Sequence, residues 1–286
     1  MKLLNSAIIA AFFFISVLEG SKQYAIVTMI SSTDCVEMGN VLQFSIKKNT
    51  KKNFLDKIDF IALLIQEHSD NHLITDNLVG WNTRYVNRID PGIPGSVTFY
   101  RFKEQFTKLH IFNMTEYDRI LYLDADVLVV GDISPLLVKV NTSFAAVRDW
   151  ESGRIQDHVN CGVLSVSPNS TEFQRLNSLR LQKTDYRLDM AEQGLLNSVY
   201  GKENVIQYFP FAYNGNLAAI AQNRDFWVNE EPNLKIIHYT WIKPGQKDRS
   251  GHPDYKKCEG PILLWDHYKT KFSNSTRKRF SKSTTR

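Results

Sequence analysis

The chain has 286 residues, 43% hydrophobic and 23% charged, with 14 glycines and three cysteines; this excludes a disordered, collagenous or disulfide-dense protein and leaves one large domain or two ordinary ones. The net charge of +5 sits at the end, where Lys269, Lys271, Arg277, Lys278, Arg279, Lys282 and Arg286 occur without an acid, so taking those seven from +5 leaves −2 for the chain before them. A mildly acidic body argues against nucleic acid as a partner.

Residues 1–20 combine Lys2, an apolar run over 7–17 (AIIAAFFFISV) and the small or polar residues Glu19 and Gly20, the layout of a secretory signal peptide. The apolar span 3–18, interrupted by Asn5 and Ser6, is shorter than the roughly 20 residues that cross hydrocarbon. We expect cleavage near Gly20, with an uncleaved anchor as the alternative, no stable membrane span, and a lumenal or secreted protein. Lumenal entry would make Asn113, Asn141, Asn169 and Asn274, each in an Asn-X-Ser/Thr triplet, glycan acceptors.

Residues 24–30 (YAIVTMI) predict a buried strand, followed by the polar loop 31–34 and a helix carrying Val36, Val41, Leu42, Phe44 and Ile46. Residues 59–65 repeat the strand signal and 84–89 give a weaker one. Residues 102–112 predict a helix with Phe102, Phe106, Leu109 and Phe112 on one side, and 119–123 (RILYL) a strand apolar on both faces. Such strands, separated by helices, imply an α/β domain with a mostly parallel central sheet flanked by helices, which binds ligands at the carboxyl ends of its strands. In the second half, 144–147, 162–166 and 235–239 read as strands, and 170–181 and 192–200 as helices. No linker divides the chain, so one domain is expected over 22–268, with a solvated, disordered basic tail over 269–286. Cys35, Cys161 and Cys258 lack metal-ligand spacing and read as buried small side chains, with room for one pair.

Asp124-Ala125-Asp126 interrupts an otherwise apolar stretch, where each carboxylate would be costly unless compensated. Asp-X-Asp is common as a loop or cap pair. Its place directly after a buried strand points instead to a divalent cation, for which oxygen ligands are suited and whose shell bound phosphates can complete. His238 ends the strand 235–239; it is either a structural histidine or a third ligand, with Lys243 five residues on to meet a diphosphate leaving group. Trp241, beside His238, is the one tryptophan read as a candidate to stack on a sugar; the other four read as core.

Together these segments resemble the glycogenin-like glycosyltransferases of family 8, retaining enzymes with a single, Rossmann-like, nucleotide-sugar-binding GT-A domain. The resemblance runs through Val27-Thr28-Met29, residues 106–110 (FTKLH), 117–126 (YDRILYLDAD), 160–163 (NCGV), 189–197 (DMAEQGLLN), 209–214 (FPFAYN) and 238–244. It implies that Asp124, Asp126 and His238 bind Mn²⁺ or another divalent cation, which holds the diphosphate of a UDP-sugar such as UDP-glucose or UDP-galactose. It implies further that Thr28 and Val36 face the uridine, that Lys108 reaches the phosphate or sugar, and that Lys243 meets the leaving diphosphate. Asn160, Asp189, Glu192 and Gln193 would surround the sugar ring, with Ala125 and Gly162 also against the donor. Retention admits either a covalent step on Glu192 or Asp189 or a same-face attack assisted by the diphosphate.

Three departures from the family pattern stand out. Glu192-Gln193-Gly194 replaces Asp-Gln-Gly; Trp241 replaces a glycine and shortens the histidine-to-lysine spacing by one; and residues 215–227 (GNLAAIAQNRDFW) hold no tyrosine where glycogenin keeps its self-glucosylated acceptor. The implied activity is therefore hexosyl transfer to a sugar, polyol or glycan acceptor, without self-glucosylation. Galactinol-synthase-like transfer to inositol and a non-catalytic nucleotide-sugar-binding or glycan-binding role are the alternatives. A homodimer is compatible with the resemblance.

Overall fold

The first strand supplies side chains to two cores. In the computed structural model, which describes residues 23–91, 102–182, 186–246 and 248–283, β1 (Tyr24–Met29) is buried along nearly its whole length. Ala25, Val27 and Met29 join one core with Phe106, Leu109, Tyr122 and Leu164. Ile26 and Ile30 join a second with Leu42, Ile46, Leu64 and Leu121. Successive side chains point to opposite faces, so a strand apolar at every position needs cover on both.

β2 (Ile58–Ile65) and β4 (Arg119–Leu123) flank β1 in parallel, with Val27 opposite Ile61 on one side and Tyr122 on the other. β3 (Asn82–Val86) adds a parallel edge beyond β2. On the far side of β4, β7 (Arg154–Val166) runs antiparallel, Leu123 opposite Val163. β6 (Phe144–Glu151) and β8 (Ile206–Phe209) complete a seven-stranded sheet of order β3-β2-β1-β4-β7-β6-β8. A second, small sheet joins β5 (Val127–Val129), β10 (Ile236–His238) and β9 (Gly215–Asn216). Its register sets His238 opposite Val127, about a hundred residues earlier in the chain, and beside Asn216.

Helices cover both faces. α1 (Asp34–Asn49) carries Asp34 and Glu37 in its first turn and Lys47 and Lys48 in its last, each complementing the helix dipole. It is tied to β5 through Ser45 Oγ, which accepts from Val129 N (3.1 Å), and Asn49 Nδ2, which donates to Val129 O (2.9 Å). α2 (Ser170–Leu179) is capped by Asn169 Oδ1, which accepts from Glu172 N at 3.0 Å. α3 (Ala191–Glu203) starts so close to the preceding turn that a Cβ on Gly194 would lie 2.1 Å from Arg187 O.

The helix expected over 102–112 lies at Gln105–Asn113 and is of the 3₁₀ type; Phe106, Leu109 and Phe112 recur every third residue and so line one side of the tighter coil. Two sequence expectations need correction. The strand expected over 84–89 lies at Asn82–Val86. The last helix, α4 (Tyr255–Ser283), continues through most of the segment expected to be a disordered tail. Phe272 packs edge-on against Phe44 of α1 (6.1 Å between centroids), and Lys269 Nζ donates to Glu37 Oε1 at 2.8 Å, so the start of the basic segment, residues 269–272, is anchored on the domain. Cys35, Cys161 and Cys258 are all free thiols. The expected signal peptide lies outside the described residues. Among the described residues, no helix is long and apolar enough to cross a membrane.

Candidate active site

β4 ends at Leu123, and the chain turns through Asp124, Ala125 and Asp126 into β5. Asp124 N donates to Gly162 O (2.9 Å) and Tyr239 N to Asp126 O (3.0 Å), so both acids are held by backbone from neighbouring strands. The two oxygens of Asp124 have different work. Oδ1 accepts from Tyr122 OH at 2.9 Å and lies 3.3 Å from Lys108 Nζ, while Oδ2 lies 3.8 Å from His238 Nε2. Asp126 Oδ1 is 3.3 Å from the same Nε2, and Asp126 Oδ2 accepts from Lys243 Nζ. Burial alone would raise the Asp126 carboxyl, but Lys243 and His238 outweigh it and hold the group well below the usual carboxylate range.

One ligand atom each from Asp124, Asp126 and His238 lies within 4.8 Å of the others. Two carboxylate oxygens and an imidazole nitrogen suit Mn²⁺ or Mg²⁺, and the ammonium of Lys243 against Asp126 shows that this corner already attracts positive charge. The residues fit a divalent cation. His238 reaches the corner because a side chain is missing at Gly162, where a Cβ would lie 2.2 Å from His238 Cε1.

A cavity of about 560 Å³ opens over this corner. Its wall includes Lys108, Asp124, Ala125, Asp126, Asn160, Gly162, Glu192, Gln193, His238, Trp241 and Lys243, all expected from the sequence to meet donor or metal. Lys108 is buried, with Nζ donating to Glu192 Oε1 (2.8 Å) and Cys161 O (3.0 Å). Burial would lower its pKa; the Asp124 and Glu192 carboxylates overcome that and raise it well above the ordinary value. Burial pushes the Glu192 carboxyl up, with Lys108 opposing. Trp241 is 42% exposed, whereas Trp81, Trp150, Trp227 and Trp265 are buried. Its Nε1 donates to Asp254 Oδ2 (3.0 Å), which fixes the ring at the cavity wall.

Three expected residues lie elsewhere. Thr28 is fully buried on the β1 face that carries Ile26, and Val36 packs into the same core, so Met29, Ser31, Cys35 and Met38 form the wall there instead. Asp189 sits in a short 3₁₀ turn, and its carboxylate is turned to Arg187 (2.8 Å) rather than into the cavity. Ala191, at φ 48°, redirects the chain after that turn so that Glu192 and Gln193 face inward.

The structure adds a group that the sequence reading missed, centred on Asp149 at the end of β6. Asp149 Oδ1 accepts from Trp150 N (2.8 Å) and Asn160 Nδ2 (3.1 Å), and Oδ2 from Gln193 Nε2 (3.0 Å). Asn214 bonds both Asn160 and His238, and Asn216 accepts from Ala218 N and from the Thr240 hydroxyl. The available signal was a carboxylate two residues beyond the apolar run 144–147, between Arg148 and Trp150.

A mostly parallel sheet with an acid pair at the end of β4 and a histidine brought back by a small second sheet defines a GT-A fold. The family described as "Glycosyl transferase family 8" matches residues 98–245, more than half of the chain, and the chain belongs to it. Caenorhabditis elegans glycogenin-1 is 27% identical over 195 residues, covering 66% of this chain and 41% of that protein. Inositol phosphorylceramide glucuronosyltransferase 1 of Arabidopsis thaliana is 28% identical over 205 residues, 64% of this chain and 35% of its own length. The chain thus spans less than half of either curated relative. Among solved structures, the galactosyltransferase LgtC, in complex with donor and acceptor sugar analogs, aligns with a TM-score of 0.61 at 18% identity, over 86% of this chain and 95% of that one. Streptococcus pneumoniae GlyE gives 0.60 at 19% identity, over 91% and 63%.

Proposed function

We infer that this protein is a retaining hexosyltransferase that moves a hexose from a UDP-sugar to a sugar, polyol or glycan acceptor and depends on Mn²⁺ or a similar cation. The observation that carries this reading is the convergence of Asp124, Asp126 and His238, beside Lys243, on one corner of a 560 Å³ cavity. The relatives' printed activities, transfer of glucuronosyl or galactosyl groups, agree with a sugar donor. A bound cation would neutralise the diphosphate and stabilise the charge it gains on leaving.

The chain's own residues supply the rest. Lys243 exchanges Asp126 for the leaving diphosphate, where a fixed cation lowers the barrier most. The shortened histidine-to-lysine spacing still brings Lys243 to Asp126, which favours turnover over a binding-only role. Glu192, held by Lys108, orients a sugar hydroxyl. Gln193 is fixed by Cys161 N on Oε1 (3.0 Å) and by Asp149 on Nε2, which leaves its amide a placed wall rather than a nucleophile. Same-face attack, in which the diphosphate takes the acceptor proton, asks for no free carboxylate. Where glycogenin carries its acceptor tyrosine, Gln222 Oε1 accepts from Trp150 Nε1 (2.8 Å) and Gly153 N (3.0 Å), consistent with an external acceptor. A lumenal or secreted setting is part of this reading, supported by the leader-like residues 1–20 and by the exposure of Asn113, Asn141, Asn169 and Asn274.

Thermal unfolding with UDP tests the site. At about a hundred times its Kd, UDP with Mn²⁺ should stabilise the protein by about 2.7 kcal/mol. UDP with EDTA, or UDP and Mn²⁺ with Asp126→Asn, should give little shift; an equal shift in all three would contradict the reading.

A further inference from the structure

The two ring nitrogens of His238 face different partners: Nε2 faces Asp126 and Asp124, and Nδ1 lies 2.9 Å from Asn214 Oδ1. A neutral imidazole has one donor and one acceptor, and its neighbours decide which is which. Here the polarity can be traced from outside the metal corner. Asp149 takes donors on both oxygens, so the end of Asn160 beside it is the amide NH₂. Asn160 Oδ1 accepts from Gly162 N at 3.0 Å, a backbone donor that cannot reverse. Both ends therefore fix the same orientation of Asn160. Its Oδ1 also takes Asn214 Nδ2 at 2.9 Å, which leaves Asn214 Oδ1 as an acceptor facing His238. Nδ1 must donate, so Nε2 is the nitrogen that can offer a lone pair to a bound cation. Asn214 and His238 are buried at 2% and 3% exposure, so water does not scramble the pattern.

We propose that Asn160 and Asn214 are positioning residues, a relay of amides anchored on Asp149 and Gly162 N–H that holds His238 in its Nδ1–H tautomer and aims the Nε2 lone pair at the cation. Its purpose rests on the reading of Asp124, Asp126 and His238 as a cation site. Outer-shell partners of this kind change metal affinity by about 10- to 100-fold.

The test uses protein with excess diamagnetic Mg²⁺ and ¹⁵N-labelled histidine at mildly alkaline pH, the His238 signals being assigned by their loss in His238→Gln. Long-range ¹H–¹⁵N correlations should report the Nδ1–H tautomer in the wild type. Asn214→Leu should lose that signature and bind Mn²⁺ about 10- to 100-fold more weakly. Asn214→Asp, which offers an acceptor from either oxygen, should keep the tautomer. The wild-type spectrum decides even where a variant fails to fold: His238 protonated on Nε2 alone overturns the relay, as does an unchanged tautomer in folded Asn214→Leu, whereas an imidazolium despite excess Mg²⁺ keeps the relay and overturns the cation reading. An Nδ1–H signature in a wild-type protein that binds no Mn²⁺ would uphold the relay and overturn the cation reading instead.

Discussion

Replacing Lys108 with methionine removes a buried ammonium while keeping most of the side-chain volume. The ammonium is 2.8 Å from Glu192 Oε1 and 3.3 Å from Asp124 Oδ1, with side-chain exposures of 2% for Lys108 and 6% for Glu192. Exposed pairs contribute about 1 kcal/mol or less, but breaking a buried pair costs about 3–5 kcal/mol because the partner's charge is left uncompensated. At about 2–4 °C per kcal/mol for a domain of this size, Tm should fall by roughly 6–20 °C. A pH signature accompanies the loss. Burial already raises the Glu192 carboxyl, and without Lys108 to oppose it the folded-state value rises further. For an acid whose folded pKa exceeds its unfolded value of about 4.3, the native state binds more protons, so stability declines as pH rises between the two values. Lys108→Met should therefore lose stability more steeply than wild type as pH rises above about 4.3, and adding Glu192→Gln should flatten the slope and recover part of the loss. Thermal unfolding of wild type, Lys108→Met, Glu192→Gln and the double variant across that range is the assay. A loss below about 1 kcal/mol with no coupling to Glu192 would refute the buried-pair reasoning.

Lys243→Ala frees Asp126 of its ammonium, so Mn²⁺ alone, followed by electron paramagnetic resonance, should bind more tightly than to wild type, while UDP should strengthen Mn²⁺ binding less. Asp189→Ala should leave turnover within about twofold because its carboxylate faces Arg187, whereas Glu192→Ala should lower turnover by about a hundredfold if it orients the reacting sugar; initial rates of UDP release separate the two. Phe272→Ala should destabilise by roughly 1–2 kcal/mol, less than the 3–5 of a fully buried ring, since its ring packs on Phe44; an unchanged Tm would return the basic segment to a solvated tail.

Asp124 and Asp126 were legible because two charges broke an apolar run just after a strand buried on both faces, and His238 because it closed another such run. What joins them was not. β5 and β9 are three residues or fewer, too short for periodicity to register, and the partners of the strand read over 235–239 lie far away in sequence, yet their pairing sets His238 opposite Val127. Asp149, Asn214 and Asn216 act through hydrogen bonds whose partners lie far away in sequence, and no local pattern announces them. Asp189 was assigned to the sugar by its place in a motif, but backbone direction decides where a side chain goes, and the turn before Ala191 sends it outward. The last helix shows the converse. Composition beyond residue 268 suggested solvation, while Tyr268 and Phe272, spaced by four, already marked a helical stripe that packs on Phe44.

Release of UDP is the most direct measure of the central claim. Purified protein with Mn²⁺ and a panel of UDP-hexoses, with and without sugar, polyol and glycan acceptors, should release UDP from at least one donor, and EDTA or Asp126→Asn should abolish it. No release from any donor with any acceptor, or release that neither EDTA nor Asp126→Asn changes, would contradict a cation-dependent hexosyltransferase.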